Sequence, residues 1–343
     1  MTSNLQHPIN SPFNKKSTSK RVMRGIDLNG KIAIVTGGYS GLGLKVTQYL
    51  AAAGAHVIVP ARTLAKAQDS VGNMPNVEIG VLDLMDPQSI DAFAEAFLSQ
   101  HTRLDLLIES AGIMFAPLRR DSRGNESHLS TNYLGHFQLT SRLYPALKAA
   151  QSSRVVILTS RAQSWNGFDF SDPNFEQRTY DERVAYAQSK VADSLFAVEL
   201  NRRAQADGIR AFAVHPGLVP GTGIGRFMAN SRAVQGLNSF ALNDLQLTRL
   251  ISLRNATTAR LQHKSEYDYF KTVNQGAADI LWAATSPLLD DKGGVYIEDS
   301  NIAQVVPNAS PSKFGVREWS INAELAEQLW TVGEQLSGTK FTI

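Results

Sequence analysis

From residue 31 onward, short runs rich in Val, Ile and Leu alternate with longer stretches of helical periodicity. The runs at 31–36, 55–60, 77–82, 104–109, 154–159, 209–214 and 293–297 have the length and composition of strands. Helices are predicted near 42–53, 62–70, 87–99, 126–149, 183–206 and 275–285. Strands that are apolar at nearly every position are covered on both faces. Repeated βα units of this kind imply a parallel sheet with helices on both sides. Residues 217–274, after the sixth run, read as a long irregular segment, and no internal repeat or second domain interrupts the pattern.

Composition narrows the picture. A chain of 343 residues, 43% hydrophobic and 19% charged, can bury a large core. There is no cysteine, which excludes disulfides, thiolate zinc sites and cysteine nucleophiles, and the compartment expected is the cytoplasm. Lys15, Lys16, Lys20, Arg21 and Arg24 outweigh the net charge of +3, so the remainder of the chain, at −2, is close to neutral. A nucleic-acid footprint would need cations clustered on a folded face, and none is expected. Residues 1–27 are basic and rich in Ser and Asn, and they read as a flexible arm; a transit peptide is the alternative, opposed by two prolines and few apolar residues. No apolar run approaches the ~18 residues of a membrane span.

The stretch TGGYSGLG, residues 36–43, closes the first strand and opens a helix. Glycines there allow a tight bend and close approach of backbone N–H groups to an anion, with the helix N-terminus behind them. An ordinary strand-to-helix turn is the alternative. The spacing is G-x-x-x-G-x-G rather than G-x-G-x-x-G.

This turn is similar to the TGxxxGxG cofactor turn of the short-chain dehydrogenase/reductase family. The resemblance implies an α/β fold with a single Rossmann-type doubly wound parallel sheet of about seven strands, spanning residues 28–343, with a lid around 218–274. It places the cofactor against Gly37, Tyr39, Ser40, Gly41, Leu42 and Gly43, with Asp83 and Leu84 after the third strand at the adenine edge. ESAG, residues 109–112, stands where the family has NNAG; Ala111 and Gly112 match, whereas Glu109 and Ser110 replace both asparagines. HPG at 215–217 matches the family's turn beside the nicotinamide through Pro216 and Gly217. Thr222 comes one place later than the family's threonine and is a candidate contact.

AYAQSK puts Tyr186 and Lys190 on one face of a helix. Tyr144 with Lys148 and Tyr267 with Lys271 share the spacing, but only Tyr186 lies between the fifth and sixth strands, after a strand-end serine and before HPG. A free phenol, with a pKa near ~10, is a sluggish acid at neutral pH, and a neighbouring ammonium brings it closer to working range. Tyr186 is then the expected acid/base and Lys190 its partner, which by resemblance also binds the nicotinamide ribose. Ser160 ends the fifth strand at the edge where open sheets bind ligands; by resemblance it binds the substrate carbonyl, and a bland strand-end serine is the alternative. Asn132 in STNYLGHF matches the helix asparagine that supports a proton relay in the family. The histidines are scattered, so no metal is expected.

An acidic residue after the second strand suits NAD, and an arginine suits the 2′-phosphate of NADP. Arg62 stands there, with Lys66 a turn on and no acid nearby, so NADP(H) is favoured over NAD(H), although an exposed helix-start arginine reads the same way. Within the family the chain resembles the retinol-dehydrogenase and protochlorophyllide-reductase-like branch, through the insertion at 161–184 and the late pieces QGAADILWAATSP, GGVYIEDSNIA and LAEQLWTVGEQLSG. Trp165, Phe168, Phe170 and Phe175, with Phe227, Met228, Leu237 and Phe240, either line a large apolar pocket or pack among themselves. The function expected is NADP-dependent interconversion of a ketone or aldehyde with an alcohol, on a bulky, apolar small molecule. Reduction of C=C or C=N bonds, or cofactor-dependent regulation without catalysis, are the alternatives. The resemblance also implies a homo-oligomer, dimer or tetramer.

Overall fold

The computed structural model describes residues 5–220, 222–228, 244–262 and 266–343. A short helix α1 (Ser19–Val22) precedes β1 (Ile32–Thr36), α2 (Gly41–Ala52), β2 (His56–Ala61), α3 (Leu64–Val71), β3 (Val77–Val81), α4 (Pro87–Gln100) and β4 (Leu106–Glu109). A π-helical turn, Leu129–Leu134, runs directly into α5 (Gly135–Ala149), followed by β5 (Ser153–Leu158), α6 (Glu182–Ala204) and β6 (Ile209–His215). Then come α7 (Asp244–Leu261), α8 (Val273–Thr285), β7 (Val295–Glu298), β8 (Asn301–Ile302), β9 (Val305–Val306), β10 (Val316–Arg317) and α9 (Ala323–Ser337).

The helix starts are written in polar caps. Asp86 accepts from the Gln88 N–H and Pro87 follows it in α4; Asp181 accepts from the Arg183 and Val184 N–H groups at the start of α6. Thr272 and Gln275 form a reciprocal capping box on α8. α2 differs, because Ser40 at its N-cap makes no side-chain cap.

The main sheet runs β3-β2-β1-β4-β5-β6-β7-β8. All pairs are parallel except β7 with β8. Alternate residues of one strand enter opposite cores. Ala33, Val35, Ile108 and Val214 pack with α2 and α8, whereas Ile34, Leu107, Ile157 and Ala213 pack with α4, α5 and α6. Truncating such a side chain costs about 2–5 kcal/mol, which is why the apolar runs are unbroken. The strand order reverses between β1 and β4, and there Thr36 lies in register with Glu109, and Glu109 with Ile157. Two strand-end loops diverge from this point, leaving the crevice where ligands of open sheets bind.

The structure corrects the sequence-based picture in four places. The sheet has eight strands rather than about seven; the extra one is the two-residue β8, too short to leave a hydrophobic signal, placed antiparallel by a turn with Asp299 and Ser300 at φ of 55° and 56°. The N-terminal arm is not flexible over its described residues. Gln6 is buried, with its amide donating to the carbonyls of Tyr296 and Ala303 and accepting from the Tyr296 N–H, while Val22 and Met23 enter the core beside α8. The arm's polar residues satisfy backbone groups at the far sheet edge rather than water. The segment 217–274 contains α7, and α9 packs Leu329 and Trp330 against the core although no helix is predicted there from periodicity.

Candidate active site

At the end of β1 the chain turns through Gly37, with φ of +66°, where a Cβ would meet the Ala111 Cα at 3.1 Å. A Cβ on Gly43 would lie 2.4 Å from the Gly37 carbonyl oxygen, so α2 can start this close to the strand only with glycine. The first N–H groups of α2 have no side-chain cap and stand at the carboxyl edge of the sheet, an anion-receptive arrangement. Tyr39 and Leu42 pack against the core beneath the turn, and a Cβ on Gly41, at φ of +52°, would lie 3.5 Å from the Thr222 Cβ. Thr222 thus stands beside the glycine turn. This cradle fits a dinucleotide pyrophosphate.

Thr36 ties the glycine turn to the neighbouring loop. Its hydroxyl oxygen accepts from the N–H groups of Ser110 and Ala111 at 2.9 and 3.0 Å and lies 2.9 Å from His136 Nε2. His136 Nδ1 faces the Asn132 carbonyl at 2.9 Å, and a carbonyl can only accept, so Nδ1 carries the proton and Thr36 donates to Nε2. Burial keeps this imidazole neutral, with its pKa pushed down to about 4. His136 therefore links the cofactor turn to Asn132. A lone histidine in an apolar helix leaves no sequence signal of such a role.

Asn132 sits in the π-helical turn, where its side chain accepts from the Ile113 N–H at 2.9 Å and donates to Ser189 Oγ on α6 at 2.9 Å. Gly112 lies close enough that a Cβ would be 3.0 Å from Asn132 Oδ1 and 3.9 Å from Lys190 Nζ. Lys190 Nζ donates to the Leu158 carbonyl and to Asp193 Oδ2, both at 2.8 Å, and lies 5.8 Å from the centroid of the Tyr186 ring. The Thr159 hydroxyl donates to the Lys190 carbonyl at 2.7 Å, so the end of β5 is stitched to α6 beside Ser160. Ser160 Oγ accepts from the Ala162 N–H at 3.2 Å, which leaves its own proton free to donate. Asp193, buried one helical turn after Lys190, was readable from its i+3 spacing but draws no notice without the fold.

The Tyr186 ring is buried against Phe115 and His128, with centroids 5.5 and 6.1 Å away. Phe115, at φ of 54° in the left-handed region, also stacks on the exposed Trp165. Of Trp165, Phe168, Phe170 and Phe175 in the insertion, Trp165 reaches this wall. Phe168 packs on Phe170, and Phe175 lies between Tyr180 and Arg178. Leu237 and Phe240, and the side chains of Phe227 and Met228, lie outside the described residues.

The other two Tyr-x-x-x-Lys pairs are structural. Tyr144 and Lys148 both bind Asp207, while Lys271 is buried between Asp279 and Asp299 under Gly217, far from any role as partner to Tyr267, which Lys15 covers. Pro216 and Gly217 follow β6, with Gly217 at φ of +83° pressed on Lys271. Asp83 caps the turn after β3 by accepting from the Met85 N–H, and Leu84 is buried against Gly135. Arg62 and Lys66 are exposed beyond β2 and have no ion-pair partner among the described residues. Among the described residues, one histidine grouping exists that the sequence does not reveal: His56, Glu78 and His101 bring ligand-type atoms within 4.8 Å of one another. It lies at the opposite edge of the sheet, where His56 pairs with Glu78 at 3.2 Å and His101 stacks on Phe97. No helix among the described residues is long and apolar enough to cross a membrane.

Residues 31–233 match the family model described as short chain dehydrogenase. The chain is 38% identical to a "Probable oxidoreductase" of Streptomyces antibioticus, covering 90% of this chain and 98% of that one. It is 33% identical to "Retinol dehydrogenase 12" of Homo sapiens, covering 89% of each. It is similar to the crystal structure of an uncharacterized protein from Mycobacterium Paratuberculosis, with a TM-score of 0.66, 29% identity, and coverage of 92% of this chain and 97% of that one.

Proposed function

Because the chain belongs to the short-chain dehydrogenase family, in its retinol-dehydrogenase-like branch, we propose that it is an NADP(H)-dependent enzyme interconverting a bulky, apolar ketone or aldehyde with its alcohol. The observation that carries this is the convergence of Tyr186, Lys190, Asn132 and the end of β5 beside the uncapped start of α2. The glycine turn, Ala111, Gly112 and Thr222 would hold the dinucleotide, with Asp83 and Leu84 at its adenine end and Pro216 and Gly217 at the other. Bound there, the nicotinamide supplies or accepts the hydride.

The protein's own residues handle the proton and the oxygen. Ser160 donates a hydrogen bond to the carbonyl oxygen, steadying the charge that develops on it. Tyr186 gives that oxygen its proton in reduction and takes it back in oxidation. Lys190 fixes an ammonium near the phenol, and Asn132 holds the helix turn against α6. Arg62 and Lys66 offer unpaired cations where a 2′-phosphate would sit, which favours NADP(H). Phe115, Met114 and Trp165 supply the apolar wall, and one human relative is named for retinol, an apolar alcohol.

The test is NADPH consumption against a panel of aliphatic, aromatic and bulky carbonyls and imines. Tyr186→Phe should lower kcat/KM by about 10²–10⁴-fold while leaving NADPH affinity within a factor of a few. A variant that turns over at the native rate overturns the assignment, and wild-type turnover confined to imines or alkenes replaces carbonyl reduction by the corresponding chemistry.

A further inference from the structure

The sequence scatters its histidines, and the fold collects two of them. His56 opens β2, and Glu78, the second residue of β3, points to the same face of the sheet, because Ile58 lies in register with Glu78 and side chains two apart share a face. That is the face α4 covers: Ile58, Phe93 and Phe97 lie in one core cluster. His101 ends α4, with its N–H still donating to the Phe97 carbonyl at 2.9 Å. Its ring packs on Phe97 at 4.8 Å and on the His56 ring at 5.7 Å. Three elements thus bring two imidazoles and a carboxylate together at the amino ends of β2 and β3, with ligand-type atoms within 4.8 Å of one another. His56 Nε2 and Glu78 Oε2 are already 3.2 Å apart. As an ion pair, side chains exposed to 41% and 43% contribute little, and the pair gives no reason for a second imidazole beside it.

We propose that His56, Glu78 and His101 form a zinc site that clasps the end of α4 to β2 and β3. In a tetrahedral site with bonds of about 2.0–2.2 Å, ligand atoms stand about 3.3–3.6 Å apart. The His56–Glu78 pair has that spacing, and half-exposed side chains close a gap of at most 4.8 Å by rotation. Their exposure also gives an ion a path from solvent. Imidazole nitrogen suits zinc and the neighbouring transition metals, whereas magnesium and calcium take oxygen ligands. Glu78 sets one negative charge against the ion's two, and three protein ligands leave the fourth position to water. The ion does not reach the catalytic groups: at about 3.3 Å per residue, β2 carries the chain roughly 16 Å from His56 to Ala61 before the cofactor edge begins. Its role is mechanical. β3 is the edge strand of the sheet and α4 is the helix over it, so a clasp at this border stabilises the fold by mass action, as any ligand of the folded state does.

Zinc chloride titrated into the chelator-treated full chain, followed by calorimetry, should show one ion bound per chain. Glu78→Gln keeps a hydrogen-bonding acceptor for His56 but not the charge, and His101→Ala removes an imidazole. Each should weaken binding by at least about tenfold, whereas His7→Ala, at an exposed histidine in the N-terminal arm, should bind as the wild type does. A sharp thermal transition in zinc-free buffer establishes that each variant is folded. With zinc at about 100 times its Kd, the wild-type midpoint should rise by a few degrees, and the Glu78→Gln and His101→Ala midpoints by half as much or less. No binding, equal affinity in these two variants, or an equal rise with magnesium chloride overturns the site. Neither readout involves substrate or nucleotide, so both stand whether or not Tyr186 is the catalytic acid.

Discussion

Arg62 stands one residue beyond β2, exposed, with no ion-pair partner among the described residues. A guanidinium left free at this edge costs nothing in water and is available for a bidentate phosphate contact. Arg62→Ala should weaken NADPH by about tenfold or more and NADH by much less, read by fluorescence titration of each nucleotide; equal losses would mean that Arg62 does not read the 2′-phosphate. At this scale the sequence is informative where a motif fixes spacing. Tyr186 was separable from Tyr144 and Tyr267 by its place between strands, and the structure shows the other two tyrosines occupied by Asp207 and by Lys15. His136 and Phe115 were not legible, since each works through a partner remote in the chain: Thr36 and Trp165 respectively.

At the scale of elements, the strands and the helices between them follow the hydrophobic pattern to within a few residues, because the central strands β1, β4, β5 and β6 are buried on both faces. α7 and α9 went unpredicted, and the N-terminal arm was misread. Polar composition suggested solvation, but Gln6 spends its amide on the backbone of Tyr296 and Ala303, and Ser19 binds Asn274 at the start of α8. Gln6→Ala strands those backbone groups at a buried edge. It should cost on the order of 2 kcal/mol and lower Tm by several degrees, measured by differential scanning calorimetry, with nucleotide affinity unchanged because Gln6 binds at β7 and the residue after β8 rather than at the glycine turn. An unchanged Tm would mean that the arm contributes no stability.

The whole molecule titrates through its buried groups. Burial lowers His136 to about 4 and His215 to about 3, with the cations Lys190 and Arg161 among the smaller causes. Such folded-state values lie below the unfolded one near ~6.5, so these histidines contribute stability that is lost as pH falls below it. Burial raises Glu109 to about 8 and Glu298 to about 7. These carboxyls bind protons in the folded state that the unfolded chain has released, so their contribution is lost as pH rises from the ordinary carboxylate range through 7 to 8. Above the unfolded histidine range only the carboxyls still titrate. Stability should therefore be greatest in mildly acidic solution and decline between about pH 6.5 and 8, read as Tm against pH in low-chloride buffers. A Tm still rising across that window would show that these acids are ionised in the fold.

The sequence alone determined the sheet, its parallel βα wiring, the glycine turn and the place of Tyr186 between β5 and β6, because all of these rest on periodicity or on spacing within one element and its neighbours. Only the tertiary structure decided that the N-terminal arm is packed, that β8 extends the sheet, and that the insertion's aromatics mostly pack away from the site. The same holds for Glu109, whose buried carboxyl accepts from the Thr140 hydroxyl, 31 residues later in the chain. What a buried polar group does depends on which partner the fold brings to it, and that partner has no fixed distance along the chain.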